Sequence, residues 1–445
     1  METRRAFLGV LAAPAFAPAA GDWIELFDGR TLDGWRASEN KGSWTVRDGA
    51  LAADGAKSHL FYTGPVHGAD FRNFELEVEV LTRAACNSGV YFHTRYQEKD
   101  FPQKGFEVQI NNTASGEGNY RERKKTGSLY GLRNIYKQFL PDDKWFKIQV
   151  AVRAKNVRVS LNGMLVVDYM EPTPPVIPDG MERERFLDHG TFALQCHNNG
   201  SKAFFRTVRV RPLPDQLPAS VLAPTVDDVY REVINIGRHN VPMVDYHVNL
   251  KGGLRLEAAL EKSRRDGIEY GIVAGDARSM QHQPVFLGMQ SRAVSRRTAA
   301  LFDYILNDSV GWTDERDMDA RVAHIVDILD REPMDIWASP TYLPPPLAKD
   351  YDTLWTEQRM KKVIDAAARN QVAIEISNRY RIPSAAFIRA AKAAGCKFCF
   401  GSNNTGDADL GRCEYGIEML NACKLDWRDF FVPGAWTVRA AERRG

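Results

Sequence analysis

Apolar and polar residues alternate through much of the first half of the chain, and this pattern predicts β-strands. In residues 74–80 an apolar side chain occupies every second position, and glutamate occupies the positions between. Residues 148–152 repeat the alternation with isoleucine and valine. Since successive side chains of a strand point to opposite faces, each segment is predicted to be a strand with one buried and one exposed face.

A tight turn joins two further predicted strands. Residues 157–161 and 164–168 lie on either side of Asn162 and Gly163. An Asn-Gly pair between two strand segments is typical of a two-residue β-hairpin turn. Because no long amphipathic helix pattern occurs in residues 22–213, we predict an antiparallel β-sandwich or jelly roll over that range.

The second half has a different pattern, which begins after a proline-rich stretch at residues 214–224 that predicts a linker. Beyond it, short apolar segments alternate with longer segments of helical spacing. Repeated βα units favour a parallel sheet that closes into a barrel, here over residues 225–438. The predicted strands are 243–247, 268–276, 335–339, 372–377 and 397–403, and the predicted helices are 254–265, 353–369 and 384–394.

The first residues of the chain have the features of an export signal. Arg4 and Arg5 precede an apolar run at residues 6–17, and small residues follow at 17–19. The paired arginines resemble a twin-arginine signal, which predicts a signal peptide at residues 1–19 and a periplasmic or extracellular protein. The alternative is an ordinary secretory signal in which the two arginines occur by chance. No later stretch approaches the ~18 consecutive apolar residues that a membrane-spanning helix needs.

Composition narrows the class of protein. The chain has 445 residues, of which 44% are hydrophobic and 26% charged, as in ordinary globular proteins. With 59 Lys+Arg and 57 Asp+Glu the net charge is only +2, so nucleic acid is not an expected partner. The 6 cysteines are irregularly spaced and form no disulfide scaffold. Cys396 and Cys399 lie on a predicted strand, where positions three apart face opposite ways, so we interpret them as packing residues.

Three predicted strands in the first half carry an unusual polar face. Residues 89–95, 106–110 and 192–197 each place apolar side chains on one face. The opposite faces carry aromatic, imidazole, amide and guanidinium groups, a mixture that holds sugars by hydrogen bonds and ring stacking. The alternative is three unconnected, solvated faces. The side chains predicted to share the polar face are Tyr91, His93, Arg95, Glu107, Gln109, Gln195 and His197.

Seven motifs in the first half resemble the 3-keto-disaccharide hydrolase domain family. They lie at residues 26–35, 44–49, 87–92, 106–110, 126–131, 194–197 and 205–210. The resemblance implies a concanavalin-like β-sandwich that acts on glycosides whose C3 hydroxyl has been oxidised to a ketone. The sequence departs from the family pattern at His93, where arginine is commoner, and at Thr207, where asparagine is usual. These departures bear on substrate detail rather than on the fold.

A C3 ketone makes the C2 hydrogen acidic, so the implied reaction needs a base, an acid for the leaving group and a group that stabilises the enolate. Glu107 or His197 is the predicted proton-transfer residue. Arg206 or Arg95 is the predicted enolate stabiliser, although strand parity places Arg206 at a bulge or as a buried ion. A single divalent metal at this site is a further alternative. The predicted substrate-binding residues are Asn87, Tyr91, His93, Gln109, Tyr130 and Gln195.

The second half resembles the polymerase-and-histidinol-phosphatase (PHP) superfamily, which implies a distorted seven-stranded barrel with a cluster of up to three metals. In a βα barrel the functional residues lie at the carboxyl ends of the strands. The metal-type ligands at those ends are Asp245, His247, Asp276 and Glu375. The family ligands are replaced at five positions, which are Asn249, Ala277, Ser339, Asn403 and Thr405. We therefore expect an inactive barrel retained for packing or ligand binding, with at most one divalent ion; a one-metal site and a full phosphoesterase are the alternatives.

Together these patterns predict a two-domain β plus α/β protein, with a concanavalin-like sandwich followed by a distorted PHP-like (β/α)7 barrel. The leading hypothesis is an exported enzyme that cleaves the glycosidic bond of a 3-keto-disaccharide or related glycoside. A non-catalytic carbohydrate-binding sandwich and a metal-dependent phosphoesterase in the barrel are the other two. The sequence does not indicate the sugar, the linkage, the choice between hydrolysis and elimination, the metal or the oligomeric state.

Overall fold

The structure is a computed structural model that describes residues 21–114, 116, 120–181, 184–217, 226–274, 280, 282–290, 296–308 and 317–434. The predicted signal at residues 1–19, most of the predicted linker, and Asp276 and Ala277 lie outside the described residues. Among the helices that are described, none is long and apolar enough to cross a membrane.

The first half folds into two antiparallel sheets, as the alternation predicts. One is an 8-stranded sheet with the order β11-β10-β9-β6-β13-β4-β3 and with β1 paired to β13, and the other is a 5-stranded sheet with the order β2-β5-β12-β7-β8. The described residues of this half form short 3-10 turns and no α-helix. The strands are β1 (Ile24–Glu25), β2 (Trp35–Ala37), β3 (Trp44–Arg47), β4 (Ala50–Asp54), β5 (Ser58–Tyr62), β6 (Asn73–Thr82), β7 (Ser88–Thr94), β8 (Phe106–Ile110), β9 (Phe146–Arg153), β10 (Asn156–Leu161), β11 (Met164–Met170), β12 (Thr191–Cys196) and β13 (Lys202–Leu213).

The predicted strand and hairpin features of the 8-stranded sheet are confirmed. Within residues 74–80 of β6 the apolar side chains are at most 1% exposed, whereas the glutamates between them pair with arginines of β13 on the outer face. Leu161 pairs with Met164 across the predicted hairpin. Asn162 and Gly163 have φ values of 49° and 85°, the left-handed conformation that this turn requires. The inner faces of both sheets pack into one apolar core.

The second half contains a closed barrel of parallel strands in the order β14-β15-β16-β17-β18-β19-β20. Five of the seven strands were predicted, and β16 and β17 were not. The strands are β14 (Val244–Asn249), β15 (Glu269–Val273), β16 (Phe286–Gln290), β17 (Tyr304–Asn307), β18 (Ile336–Trp337), β19 (Ala373–Ser377) and β20 (Phe398–Gly401). The described helices are α1 (Asp228–Arg238), α2 (Leu256–Arg265), α3 (Arg296–Ala299), α4 (Met318–Arg331), α5 (Pro345–Ala348), α6 (Tyr351–Leu354), α7 (Glu357–Arg369), α8 (Ala385–Ala393) and α9 (Glu414–Ala422).

Buried polar groups connect the two halves. Arg133, on a sandwich loop, is 1% exposed, and its Nε donates to the Ser263 carbonyl at 2.6 Å. The backbone N–H of Tyr136 donates to Glu269 Oε2 at 2.8 Å, and Lys137 pairs with Asp303. Since a buried donor or acceptor without a partner costs roughly 1–3 kcal/mol, these bonds favour keeping the halves together.

Candidate active site

The polar face of the 5-stranded sheet forms the floor of a pocket of about 550 Å³. Strands β7, β8 and β12 contribute side chains to it, and so do loops on both sides. Seven sequence-predicted residues line this pocket: Asn87, Tyr91, Glu107, Gln109, Tyr130, Gln195 and His197. The prediction that Glu107 and His197 share one concavity is therefore confirmed, whereas their chemical roles stay predictions.

Glu107 is the most perturbed acid of the pocket. It is 7% exposed, and burial raises the pKa of its carboxyl from 4.5 to about 7. The Tyr91 hydroxyl donates to this carboxylate, and this bond and the charge of Arg185 hold the pKa below the value that burial alone would give. A Cβ on Gly89 would lie 2.4 Å from Glu107 Oε1, so glycine there leaves room for the carboxylate over the neighbouring strand.

A buried amide and a buried imidazole lie beside Glu107 in the sheet. Gln195 Nε2 donates to the Tyr91 hydroxyl at 2.9 Å and lies 3.5 Å from Glu107 Oε1. The same amide lies 3.5 Å from His59 Nε2, and His59 pairs with Gln195 in the register of β5 and β12. Burial lowers the pKa of His59 to about 3, so the imidazole is neutral at physiological pH. His59 was not predicted as a site residue, because its position beside the pocket depends on which strands are neighbours in the sheet.

Another part of the pocket is built around a second carboxylate that was not predicted. Glu122 Oε2 accepts from the hydroxyls of Tyr120 at 2.8 Å and Tyr130 at 3.3 Å. Its Oε1 accepts from the backbone N–H of Lys124 at 3.0 Å and from Lys124 Nζ at 3.4 Å. Burial lowers the pKa of the Lys124 ammonium, whose side chain is 0% exposed. These bonds use both oxygens of Glu122 and leave the tyrosine rings facing the pocket.

Two arginines line the pocket, and neither was predicted. Arg185 donates to the carbonyl oxygens of Pro102 at 2.8 Å and Gly105 at 3.3 Å. Arg238 comes from α1, in the barrel half. Among the residues that the structure describes, neither arginine has a carboxylate partner. The remaining carboxylate of the lining, Asp100, is 77% exposed and pairs with Lys57.

His197 follows the last residue of β12, and its ring centre lies 5.6 Å from that of Phe101. On β8, two strands away in the sheet, Gln109 Nε2 donates to Asn87 Oδ1 at 2.9 Å. An imidazole and an amide pair therefore line the same pocket as Glu107.

The predicted position of His93 is wrong, because β7 contains a bulge. Tyr91 pairs with Ala193 but Thr94 pairs with Thr191, so two residues of β7 oppose one residue of β12. His93 has a φ of 53°, and its ring packs 5.7 Å from that of Phe74 in the interior. Its Nε2 bonds the Arg72 carbonyl oxygen at 2.8 Å. His93 therefore belongs to the core beneath the sheet and not to the pocket.

The positions of Arg95 and Arg206 do not fit the predicted role of enolate stabiliser. Arg95 follows the bulge, is 62% exposed and pairs with Glu184 at 2.7 Å. Arg206 lies on the other sheet, at a register shift between Phe205 and Thr207. Its guanidinium pairs with Glu79 at 2.8 Å. Of the two readings given for Arg206, a bulge is correct, and the side chain is exposed on the outer surface away from Glu107.

In the barrel, three of the four predicted metal-type residues are described, and all three are buried. Asp245 Oδ1 accepts from the backbone N–H groups of His247 at 3.0 Å and Ser402 at 2.9 Å. His247 Nδ1 lies 3.2 Å from both oxygens of Glu375, and the backbone N–H of Ser339 donates to Glu375 Oε2 at 2.6 Å. Asp276 lies outside the described residues.

The donor set of the barrel does not fit a metal cluster. Where the PHP resemblance expects ligands, Asn249 donates to Asn403 at 3.3 Å and Asn403 donates to Ser339 Oγ at 3.4 Å. In the described ranges, no three His, Cys, Asp or Glu side chains are grouped so that they could hold an ion. On β14, Asp245 Oδ2 and His247 Nε2 are buried without a hydrogen-bond partner among the described residues, and two such atoms suit one ion at most.

The sandwich half of the chain matches a known protein family. Residues 22–211 match the sequence model of the 3-keto-alpha-glucoside-1,2-lyase-like domain family, which confirms the resemblance drawn from the seven motifs. A curated 3-keto-disaccharide hydrolase from Bacteroides thetaiotaomicron is 31% identical over 80 residues, which are 16% of this chain and 28% of that protein. The chain thus spans little more than a quarter of the curated relative. The PHP resemblance of the barrel stays a prediction.

Solved structures with low similarity include a candidate glycosyl hydrolase from Parabacteroides distasonis, at 21% identity and a TM-score of 0.35 over 44% of this chain and 94% of that one. A carbohydrate binding module from Bacillus subtilis is 12% identical, with a TM-score of 0.27 over 39% of this chain and 93% of that one.

Proposed function

We propose that this chain is an exported carbohydrate-active enzyme that cleaves the glycosidic bond of 3-keto-glycosides in the sandwich pocket. The observation that carries the proposal is Glu107, a buried carboxyl with a pKa of about 7 at the floor of a pocket of about 550 Å³. A group with this pKa exchanges protons readily at neutral pH, which suits a general base. The family match of residues 22–211 supports the sugar class.

The reaction begins with proton removal at C2 of the oxidised sugar. The Glu107 carboxylate accepts this proton, and the C2–H electron pair forms an enolate whose charge lies on the C3 oxygen. The enolate then collapses, the C1–O bond breaks, and the leaving-group oxygen takes a proton. Water adds across the new C1–C2 double bond, with hydroxide at C1 and a proton at C2. The sum is hydrolysis of the glycosidic bond, and release before hydration gives the elimination product.

The pocket offers a residue for each remaining role. Arg185 is the cation with the largest effect on the Glu107 carboxyl, so it takes the role of enolate stabiliser that the sequence assigned to Arg95 or Arg206. His197 lines the same pocket and is the acid for the leaving group. Tyr91 and Gln195 hold the Glu107 carboxylate in place through their hydrogen bonds. The route needs no metal, and one divalent ion bound to the substrate ketone would assist the same proton transfer.

The test is turnover of a matched pair of sugars by the purified full chain. We expect reducing-sugar release from 3-keto-disaccharides and none from the unoxidised disaccharides, measured with and without a chelator. In deuterium oxide the product should carry deuterium at C2, because the route passes through an enolate that is protonated by solvent. Cleavage without deuterium at C2 would contradict the proposed route.

Variants separate an enzyme from a binding module. Glu107→Gln should lose turnover by about 100-fold or more, as expected for a general base. The matched control is Glu98→Gln, a surface carboxylate outside the pocket lining. If the wild type binds oxidised and unoxidised sugars equally and cleaves neither, the non-catalytic carbohydrate-binding alternative replaces the enzyme.

A further inference from the structure

Arg238 is a barrel-half residue that lines the sandwich pocket. It is the last residue of α1, and its stem lies against Gly131 of the sandwich. A Cβ on Gly131 would lie 3.4 Å from Arg238 Cδ and 2.8 Å from Met181 Sδ, and its φ of +82° also favours glycine. The contact carries the guanidinium across the boundary between the two halves and into the pocket.

The guanidinium of Arg238 has no counter-charge in the part of the chain that the structure describes. Its Nε is buried without a hydrogen-bond acceptor, and its Cζ lies 5.9 Å from the ring centre of Tyr130. The nearby carboxylate of Glu122 already accepts from Tyr120, Tyr130 and Lys124. The end of the pocket around Arg238 therefore carries an excess of positive charge.

Arg238 and Arg185 act on different side chains of the pocket. The charged groups that act on Glu107 are Arg185, Glu122 and Lys124. Arg238 acts instead on Tyr120, Tyr130 and Lys124. Glu107 also acts on Tyr130 and Lys124, so Arg238 and the proposed base adjoin the same side chains of the pocket.

We propose that Arg238 binds an anionic substituent of the substrate, a carboxylate or a phosphate, so that the pocket selects acidic glycosides over neutral ones. The planar guanidinium forms paired hydrogen bonds with either anion. This inference rests on the proposed function, because it takes the pocket as the substrate site. It also makes the barrel half a contributor to specificity.

The test is calorimetric binding of matched sugars to the full chain at low and at high salt. Lactobionate and lactitol form one pair, which differs in a carboxylate on the open-chain unit. Trehalose 6-phosphate and trehalose form the second pair, which differs in a phosphate. We expect at least one anionic member to bind about tenfold or more tightly than its neutral match, with a smaller ratio in high salt. The pair that shows the preference identifies the anion.

Arg238→Gln should abolish the preference, because it weakens binding of the anionic sugar much more than binding of its neutral match. Arg231→Gln, an exposed arginine on the same helix, removes the same charge and should keep the preference. Equal affinity within both pairs, or an equal loss for charged and neutral sugars in Arg238→Gln, overturns the inference. Turnover of neutral 3-keto-disaccharides is measured in parallel. Turnover without an anion preference contradicts the role of Arg238 and leaves the proposed function intact. An anion preference without turnover contradicts only the proposed enzymatic activity.

Discussion

Replacing Glu107 by glutamine tests the physical basis of the proposed chemistry, apart from any substrate. The folded protein raises the pKa of this carboxyl from 4.5 to about 7. At roughly 1.4 kcal/mol for each tenfold change in proton affinity, the ionised carboxylate destabilises the folded state by about 3 kcal/mol. Because the folded-state pKa is the higher one, the cost is absent below pH 4.5, grows as pH rises, and is complete above the folded pKa of about 7.

The measurement is the free energy of unfolding in urea for the wild type and for Glu107→Gln, at pH 4.5 and pH 8. Glutamine keeps the shape of the side chain and does not titrate, so other titrating groups cancel in the comparison of the two proteins. We expect the variant to gain about 3 kcal/mol relative to the wild type between the two pH values. Glu98→Gln, where the carboxylate is on the surface, should show almost no such gain.

The pH dependence of catalysis is an independent measure of the pKa of the Glu107 carboxyl. The kcat/KM profile of the wild type should rise with pH through an inflection near pH 7, because the base must be ionised in the free enzyme. A relative stability that does not change with pH, together with an inflection near the ordinary carboxyl value of 4.5, would refute the reasoning that burial tunes this base.

Other predictions follow from separate features. Tyr91→Phe removes a donor to the Glu107 carboxylate, so the kcat/KM inflection should move to higher pH by roughly one unit; an unchanged inflection would show that the bond is not made. Replacing both Arg4 and Arg5 by lysine should leave precursor in the cytoplasm, and normal export would argue against the twin-arginine route. Elemental analysis of the full chain should find no more than one ion that His247→Ala removes, with no phosphatase activity; two such ions would contradict the replaced-ligand argument. Arg133→Met should lower the free energy of unfolding by about 3 kcal/mol or more, since it leaves buried partners unpaired.

Strand alternation predicted the pocket wherever a strand is regular. Gln109 follows Glu107 at the next outward position of β8. Gln195 of β12 pairs with His59 of β5 in an unbroken register, so strand parity predicts the outward face of each side chain correctly. Parity fails at His93 and Arg206, because a bulge inserts a residue and the following side chains change face. At Arg206 the parity conflict already offered a bulge as one of two readings, whereas the alternation around His93 gives no sign of one, since a bulge depends on how two strands meet.

Residues that reach the pocket from loops or from the other half were beyond prediction for a different reason. Arg185 and Glu122 follow no strand pattern, and Arg238 lies on a helix that is distant along the chain. Their positions follow from packing between elements rather than from local sequence. Strands β16 and β17 were missed because each is a short apolar run that lacks a clear helical segment beside it.

The contacts around Asn240 explain how a barrel residue is held in a sandwich pocket. Asn240 is two residues beyond Arg238 and is 2% exposed. Its Oδ1 accepts from the backbone N–H of Arg123 at 3.2 Å and from Lys124 Nζ at 3.0 Å, and its Nδ2 donates to the Arg121 carbonyl. These residues flank Glu122, so the end of α1 is bonded to the same loop that forms the tyrosine end of the pocket. Since the bonds are buried, moving α1 away would leave several polar groups without partners, and the pocket would lose Arg238 with them. The barrel therefore contributes to the pocket through its first helix, whether or not its own strand ends hold an ion.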